Sequence, residues 1–537
     1  MPRLSWSGAR WELITRSKSE WEDAKANGFH YDWARKLAWT GLTECAAKYR
    51  QYADSAALAK FSQVDQLIAQ SKATSANIAI RSPQGLSYLP FQLAAIQFGL
   101  ARPNTLIADD PGLGKTIEAA GIFDADPYAK TMLVICPASL QINWERELMK
   151  WLTKECTGDY ATSTKIPNSD IVIVNYEKVW NLREQIFARE FDVHAYDESH
   201  FCKNEESKRT QAVFGLPDKK IRPLEAKRRR LALTGTPIIN RPIELWPMLR
   251  NFDPSGLGCN FWLFARRFCG GEDQPAGMRD FSGATNLDVL QDRLRSSIMI
   301  RRRKQDVLTE LPPKCRQIIP LPVPREVAGI VRAELDYYDQ HRPELDEAVA
   351  RAEADQSVGD RLSFDQASSD LKDCNGVIFE RMAELRKATG IAKIPYAIQH
   401  IANKLEEVEK VVVWCHHHEV MAPIAEYFGS IVVQHHGNMS LAQRQQSVDR
   451  FETDSSIRVF LGGITTAIGY TILKGIYQVF IEEDWRSTIL TQTEDRAHRI
   501  GQQFPLLIQH LVFDASLDCR MLKTTVRKQE IIDAAVG

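Results

Sequence analysis

From Leu86 onward the chain alternates short apolar runs with helix-like stretches. Leu106-Ile107-Ala108 precedes a glycine-rich turn and a helical pattern, and Thr131 to Leu148 (T-M-L-V-I-C-P-A-S-L-Q-I-N-W-E-R-E-L) is a buried strand stopped at Pro137, then a helix. Ile171 to Tyr176 and Phe191 to His200 (F-D-V-H-A-Y-D-E-S-H) supply two further strands, and Leu231 to Asn240 (L-A-L-T-G-T-P-I-I-N) a strand ending in a turn. Apolar runs separated by helices predict an α/β fold with a parallel sheet covered on both faces. Residues 1–80 break this rhythm. There Trp21 to Tyr52 carries helix-like spacing around an aromatic knot, G-F-H-Y-D-W-A-R-K-L-A-W-T (Gly28 to Thr40), which reads as a separate small α+β module. The stretch from 322 to 392 is charged and helical in composition, and Val411 to Tyr427 restarts the strand-and-helix pattern.

The chemistry gathers at the loops that end these strands. Thr105 to Glu118 reads T-L-I-A-D-D-P-G-L-G-K-T-I-E. Gly112 and Gly114 allow a tight turn whose N–H groups form a phosphate nest at a helix N-terminus. In such a loop Lys115 serves the β- and γ-phosphates and the Thr116 hydroxyl can ligate Mg²⁺. The general phosphate-loop pattern has glycine where this chain has Asp109, so only the G-x-G-K-T half is intact. Asp197 and Glu198 fall at the C-terminal end of a strand, where doubly wound sheets place their chemistry. Paired acids there suit a Mg²⁺-bound nucleotide, one holding the metal's water shell and the other positioning the attacking water.

Bulk numbers narrow the classes. A chain of 537 residues has room for about three or four domains. A net charge of −1 means that a nucleic-acid partner would have to meet basic residues gathered locally. Ten cysteines without a C-x-x-C pair argue against zinc and against a disulfide framework. No apolar signal core or run of ~20 apolar residues stands out, so the expectation is a protein that is cytoplasmic or nucleoid-associated (nuclear if eukaryotic) and not secreted. His416, His417 and His418 are neighbours on a predicted strand, where adjacent side chains alternate faces and do not easily converge on one ion; His435 and His436 are treated alike. Trp33, Arg35, Lys36 and Trp39 suit base stacking with phosphate neutralisation, or equally the core of a small domain.

Taken in order, these segments resemble the motifs of the SWI/SNF-type family of superfamily 2 helicase-like ATPases. That family's phosphate loop resembles D-E-M-G-L-G-K-T, which accounts for Asp109. Ser297 to Pro313 (S-I-M-I-R-R-R-K-Q-D-V-L-T-E-L-P-P) is similar to the segment leaving the first lobe, Val411 to Tyr427 to the opening of the second, and Gln492 to Gln502 (Q-T-E-D-R-A-H-R-I-G-Q) to the final motif. The likeness runs from about 85 to 515. D-E-S-H has Ser199 where alanine is common. Gly462 to Thr471 keeps Gly469 but has Ala467 and Tyr470, which leans toward the annealing-helicase (HARP-containing, SMARCAL-like) branch, whose DNA-binding repeat the N-terminal knot distantly resembles.

The resemblance implies two RecA-like doubly wound lobes with helical insertions: an N-terminal accessory module at 1–80, the ATP-binding lobe at 81–320, a protrusion and linker at 321–395 and the second lobe at 396–537. It implies ATP and Mg²⁺, with Gln92 at adenine, Gly112, Leu113, Gly114, Lys115, Thr116 and Gly469 around the nucleotide, and Asp197 with Thr116 at the metal. Lys115, Asp197 and Glu198 would act with Arg496 and Arg499, which at i and i+3 of a helix share one face. His200, Thr234, Thr236 and Gln492 would couple the nucleotide to a DNA track. The activity implied is a DNA-stimulated ATPase that translocates on duplex DNA to remodel forks or branches or to displace bound protein, with other replication, repair or defence proteins as further partners. A motor subunit of a restriction or defence complex, or a nucleotide-gated DNA-binding scaffold, are the alternatives.

Overall fold

The computed structural model describes residues 2–522 apart from 236, 239–240, 271–280, 282, 344, 346–375, 467–469, 485–486 and 515. The N-terminal module is built on β1 (Arg3–Trp6), β2 (Trp11–Ile14), β3 (His30–Asp32) and β4 (Leu37–Thr40), an antiparallel sheet in the order β1-β2-β4-β3. Trp11 and Leu13, two apart on β2, point to one face and are fully buried. Trp11 stacks on Phe61 of the helix Ser55–Ser71 at 4.3 Å, and that helix starts where the Asp54 carboxylate accepts the Ala57 N–H.

The aromatic knot is not helical. Gly28, at φ +85°, ends the helix Lys18–Ala26, and the residues beyond it form the β3–β4 hairpin. Core and surface divide the knot between them: Phe29 is buried, Trp33 is 82% exposed, and Trp39 is half-buried with the Arg10 guanidinium 4.9 Å above its ring. Arg35 is bound to Glu12, its NH2 donating at 3.1 Å, while Lys36 sits at the exposed turn with φ +52°.

The first lobe carries β5 (Asn104–Ile107), β6 (Met132–Cys136), β7 (Gly158–Tyr160), β8 (Ile171–Asn175), β9 (Val193–Asp197), β10 (Arg229–Leu233) and β11 (Met299–Ile300) in an all-parallel sheet ordered β11-β5-β10-β9-β6-β8-β7. Every residue of β6 and β9 is buried, as expected where helices cover both faces. Truncating one such side chain, Leu133→Ala for example, would cost roughly 2–5 kcal/mol. Register then sets the site. Ile107 pairs with Leu233 and Leu233 with Asp197, so the loops after β5, β10 and β9 leave the sheet side by side.

The second lobe holds β12 (Lys314–Leu321), β13 (Val411–Cys415), β14 (Val432–His435), β15 (Val459–Gly463), β16 (Tyr477–Phe480) and β17 (Leu506–Phe513), again parallel, in the order β12-β17-β16-β13-β15-β14. Two elements run across the expected boundaries. Lys314–Leu321 pairs along its whole length with β17, so the chain enters the second sheet before 320. Residue 395 falls inside one helix, Gly376–Glu407, which tolerates Pro395 and carries Ala397, Ile401 and Leu405 into the second-lobe core. The histidine run also moves: His416 and His417 follow β13 and His418 opens the helix His418–Phe428. Among the described residues no helix is long and apolar enough to cross a membrane.

Candidate nucleotide site between the lobes

The phosphate loop leaves β5 at Ala108 and turns into the helix Lys115–Ala125. Gly112 and Gly114 both adopt left-handed φ, +89° and +87°. Each also faces a close neighbour: a Cβ would lie 2.8 Å from Arg499 Cγ at Gly112 and 2.8 Å from Gln92 Nε2 at Gly114. Asp109, in the position where glycine was missed, is fully buried. It accepts the Arg302 backbone N–H at 2.9 Å and the Arg302 Nε–H at 2.9 and 3.0 Å, while Arg302 also donates to Glu118 at 2.7 Å and to the Phe91 carbonyl at 2.8 Å. A glycine there could not anchor the loop in this way. Burial and the Asp109 charge push Glu118 well above the ordinary carboxylate range.

Lys115 Nζ folds onto the loop, donating to the Asp109 carbonyl at 2.9 Å. Leu113 is buried, and its carbonyl accepts Gln92 Nε2 at 3.2 Å, while Gln92 Oε1 accepts the Leu89 N–H at 3.0 Å. The Gln92 carboxamide thus ties the loop to the helix Pro90–Leu100. Asp197 is fixed by Trp144 Nε1 at 2.7 Å and by the Glu198 N–H at 2.9 Å; burial, then the Glu198 charge, raise it to about 7. Glu198 stands at φ +48°, and its buried Oε2 faces His200 Nδ1. Burial would raise Glu198, but His200 at 3.3 Å and the charges of Lys115 and Arg496 outweigh it and hold the carboxyl at about 2. His200 Nδ1 lies 2.8 Å from Thr234 Oγ1, joining the loops after β9 and β10.

The opposite wall belongs to the second lobe. Arg496 and Arg499 do not share a helix face, because the helix Ser487–Glu494 has ended and both stand in the turns that follow. They still converge. Arg496 Nε donates to the Gln492 carbonyl at 3.0 Å, Arg499 Nε to the Asp495 carbonyl at 3.1 Å, and Arg499 NH1 to Thr471 Oγ1 at 3.1 Å. Burial and the neighbouring Arg499 push Arg496 down to about 9, still cationic at neutral pH. A cavity of about 640 Å³ lies between these walls, lined by Gln92, Lys115, Thr116 and Glu198 on one side and by Gln492, Arg496 and Arg499 on the other.

Of the remaining expected residues, Thr236 and Gly469 lie outside the described residues. Trp33, Arg35, Lys36 and Trp39 stand on the N-terminal module and do not line the cavity. Sequence reasoning missed Trp144, Arg302, Thr471 and Asp495. The R-R-R-K run was the available signal for Arg302, since a basic run facing a buried acid pair need not be a solvated surface. The donor set suits Mg²⁺: the Thr116 hydroxyl and the Asp197 carboxylate are hard oxygen donors on the same wall of the cavity, with Glu198 beside them.

A phosphate loop in one parallel-sheet lobe, faced by arginines from a second, defines a two-lobed, helicase-like ATP hydrolase. The SNF2-related domain matches residues 27–336 and the helicase conserved C-terminal domain residues 392–501, and the chain belongs to the SNF2-related family. Among curated relatives, the SWI/SNF-related matrix-associated actin-dependent regulator of chromatin subfamily A-like protein 1 of Xenopus tropicalis is 32% identical over 82% of this chain and 44% of its own length. The DNA annealing helicase and endonuclease ZRANB3 of Homo sapiens is 29% identical over 84% of this chain and 40% of its own. The chain therefore spans less than half the length of these relatives. The solved Sulfolobus solfataricus SWI2/SNF2 ATPase core in complex with dsDNA is 19% identical, covering 85% of this chain and 94% of that one, with a TM-score of 0.38.

Proposed function

We propose that this chain is a DNA-stimulated ATPase that translocates on duplex DNA, remodelling forked or branched DNA or displacing bound protein. The observation that carries the reading is the contact of Arg499, on the second lobe, with Gly112 of the first lobe's phosphate loop. A site completed from both lobes works only when they close, and closure is what a track lying across both lobes can drive. Lys115 and the loop N–H groups bind the phosphates. Thr116 and Asp197 would hold Mg²⁺, which when bound neutralises phosphate charge. Glu198, kept ionised by His200, Lys115 and Arg496, orients a water and accepts its proton. Arg499 and Arg496 stabilise charge developing on the γ-phosphate, an effect worth roughly 10³–10⁵ in rate.

His200 and Thr234, hydrogen-bonded to one another, offer a route from Glu198 to the track, and Trp33, exposed on the hairpin turn, offers a stacking platform for unpaired bases. The names of the relatives given above point the same way. The test is ATP turnover with single-stranded, duplex and forked DNA and with RNA. Stimulation of about ten-fold or more by duplex or forked DNA is expected, abolished by Glu198→Gln with ATP binding retained. Equal turnover with and without every nucleic acid would overturn the reading.

A further inference from the structure

The segment leaving the first lobe touches both halves of the cleft. Lys304 is buried, and its backbone N–H donates to Asp110 Oδ2 of the phosphate loop at 2.9 Å. Its ammonium group lies 3.1 Å from Asp495 Oδ2 in the second lobe, and Lys314 Nζ donates to Asp495 Oδ1 at 2.8 Å. Asp495 is thus clamped by two lysines, one on each side of the crossover. The backbone carbonyl of the same residue accepts Arg499 Nε–H at 3.1 Å, and its N–H donates to the Thr491 carbonyl at 3.0 Å. A single chain of contacts therefore runs from Asp110 through Lys304 and Asp495 to Arg499.

Alternative roles fit less well. With its side chain 10% exposed, Lys304 is placed neither to meet a nucleic-acid backbone nor to serve solubility, and it does not line the cavity, so contact with nucleotide is not its task. Lys314 is shared with Glu494, to which it also donates at 3.2 Å, whereas Lys304 reaches Asp495 from the first lobe's side of the crossover. Two lysines from opposite sides of the crossover fix Asp495 relative to both lobes.

We propose that Lys304 is a positioning residue for ATP hydrolysis: through Asp495 it holds Arg499 over the phosphate loop, so that the pose of the arginine depends on the path of the segment leaving the first lobe. This rests on the reading of Arg499 given under the proposed function. A small displacement of Arg499 is enough to matter, since the misplacement of an electrostatic group by ~1 Å can cost about 10²-fold in rate.

The experiment uses the full chain, with ATP turnover measured over a range of ATP concentrations and binding followed with a fluorescent ATP analogue. Lys304→Met should lower kcat by about 10- to 100-fold and leave KM for ATP within about threefold, and Lys304→Arg should restore most of the loss. Placed in an Arg499→Ala background, Lys304→Met should add little further loss, because both changes act on one contact. If Lys304→Met fails to bind the analogue, Asp495→Asn, which keeps the shape and removes the charge, carries the same test. Unchanged kcat, a rise in KM that accounts for the whole loss, or full additivity with Arg499→Ala would each overturn the proposal. Arg499→Ala alone separates the two readings: if it leaves kcat intact, the split-site reading has failed, whereas a large loss with Lys304→Met silent rejects only the positioning role.

Discussion

Two buried clusters of charge flank the cleft, and they are built in opposite ways. Around Arg302 one base serves two acids, Asp109 and Glu118, and all three belong to the first lobe. Around Asp495 one acid serves two bases, Lys304 from the segment leaving the first lobe and Lys314 from β12 of the second. The first cluster cannot be opened by any lobe movement and acts as a foundation for the phosphate loop. The second spans the crossover and can register how the lobes are set. It also extends outward, since Glu494 accepts from Lys314 and Arg316 and lies near His510, which pairs with Glu483 at 2.8 Å.

The comparison breaks most visibly at Arg302. Arg302→Met leaves two buried carboxylates without their base and is expected to cost about 3–5 kcal/mol of stability, seen as a large fall in Tm. Near-native melting would mean that Asp109 and Glu118 simply take up protons and that the cluster is no foundation.

The outer cluster has a pH signature. His510, buried between Glu483 and Glu494 and stacked on Phe480 at 4.9 Å, is opposed by burial, but the two carboxylates win and raise it to about 9. Its folded value lies above the unfolded value of about 6.5, so its stabilisation is complete below that pH and is lost as pH rises toward 9. The loss amounts to roughly 3 kcal/mol on the general scale of 1.36 kcal/mol per unit. Chemical denaturation between pH 6.5 and 9 should show it, and His510→Gln should flatten the slope. An equally steep slope in that variant would assign the effect to other groups.

Gly112→Ala sharpens the contrast from the nucleotide side. A left-handed non-glycine residue costs about 1–2 kcal/mol, and the new methyl group would press on Arg499 Cγ. A modest drop in Tm with a kcat loss of about ten-fold is expected. Normal kcat would show that Arg499 leaves Gly112 before chemistry. The smallest effect belongs to Arg146 and Asp449, an exposed pair at 3.3 Å that also joins the lobes. Arg146→Ala should change stability by less than about 1 kcal/mol, an effect screened out near 1 M salt. A larger, salt-resistant change would make it a true joint.

Much of this was legible in the sequence, for definite reasons. The central strands β6, β8 and β13 are near-continuous apolar runs, whereas the edge strands β7 (G-D-Y) and β12 (K-C-R-Q-I-I-P-L) carry no such signal, and the loops at the C-terminal ends of the first-lobe strands announce themselves by glycine, lysine and paired acids. What stayed hidden depends on partners distant in the chain. Asp109 looked like a flaw in a glycine pattern until Arg302, 193 residues later, was seen to grip it. The turns carrying Arg496 and Arg499 read as helix because spacing alone cannot show that the helix stops at Glu494. The aromatic knot misled in the same way: Gly28 ends a helix, and its neighbours fold as a hairpin whose buried and exposed rings look alike in sequence.

The grip of Arg302 on Asp109 also has a consequence for how the protein is made. β5 leaves the ribosome long before β11, its partner at the edge of the first sheet, and long before Arg302. At about 5–20 residues per second, Asp109 and Glu118 wait roughly 10–40 seconds for their base. During that interval the nascent first lobe lacks an edge strand and keeps two acids that cannot be buried as ions. The lobe can therefore complete its edge strand and its buried charge pairing only after the crossover segment has been synthesised, so the polypeptide that gives the first lobe its final form is the one that leads into the second.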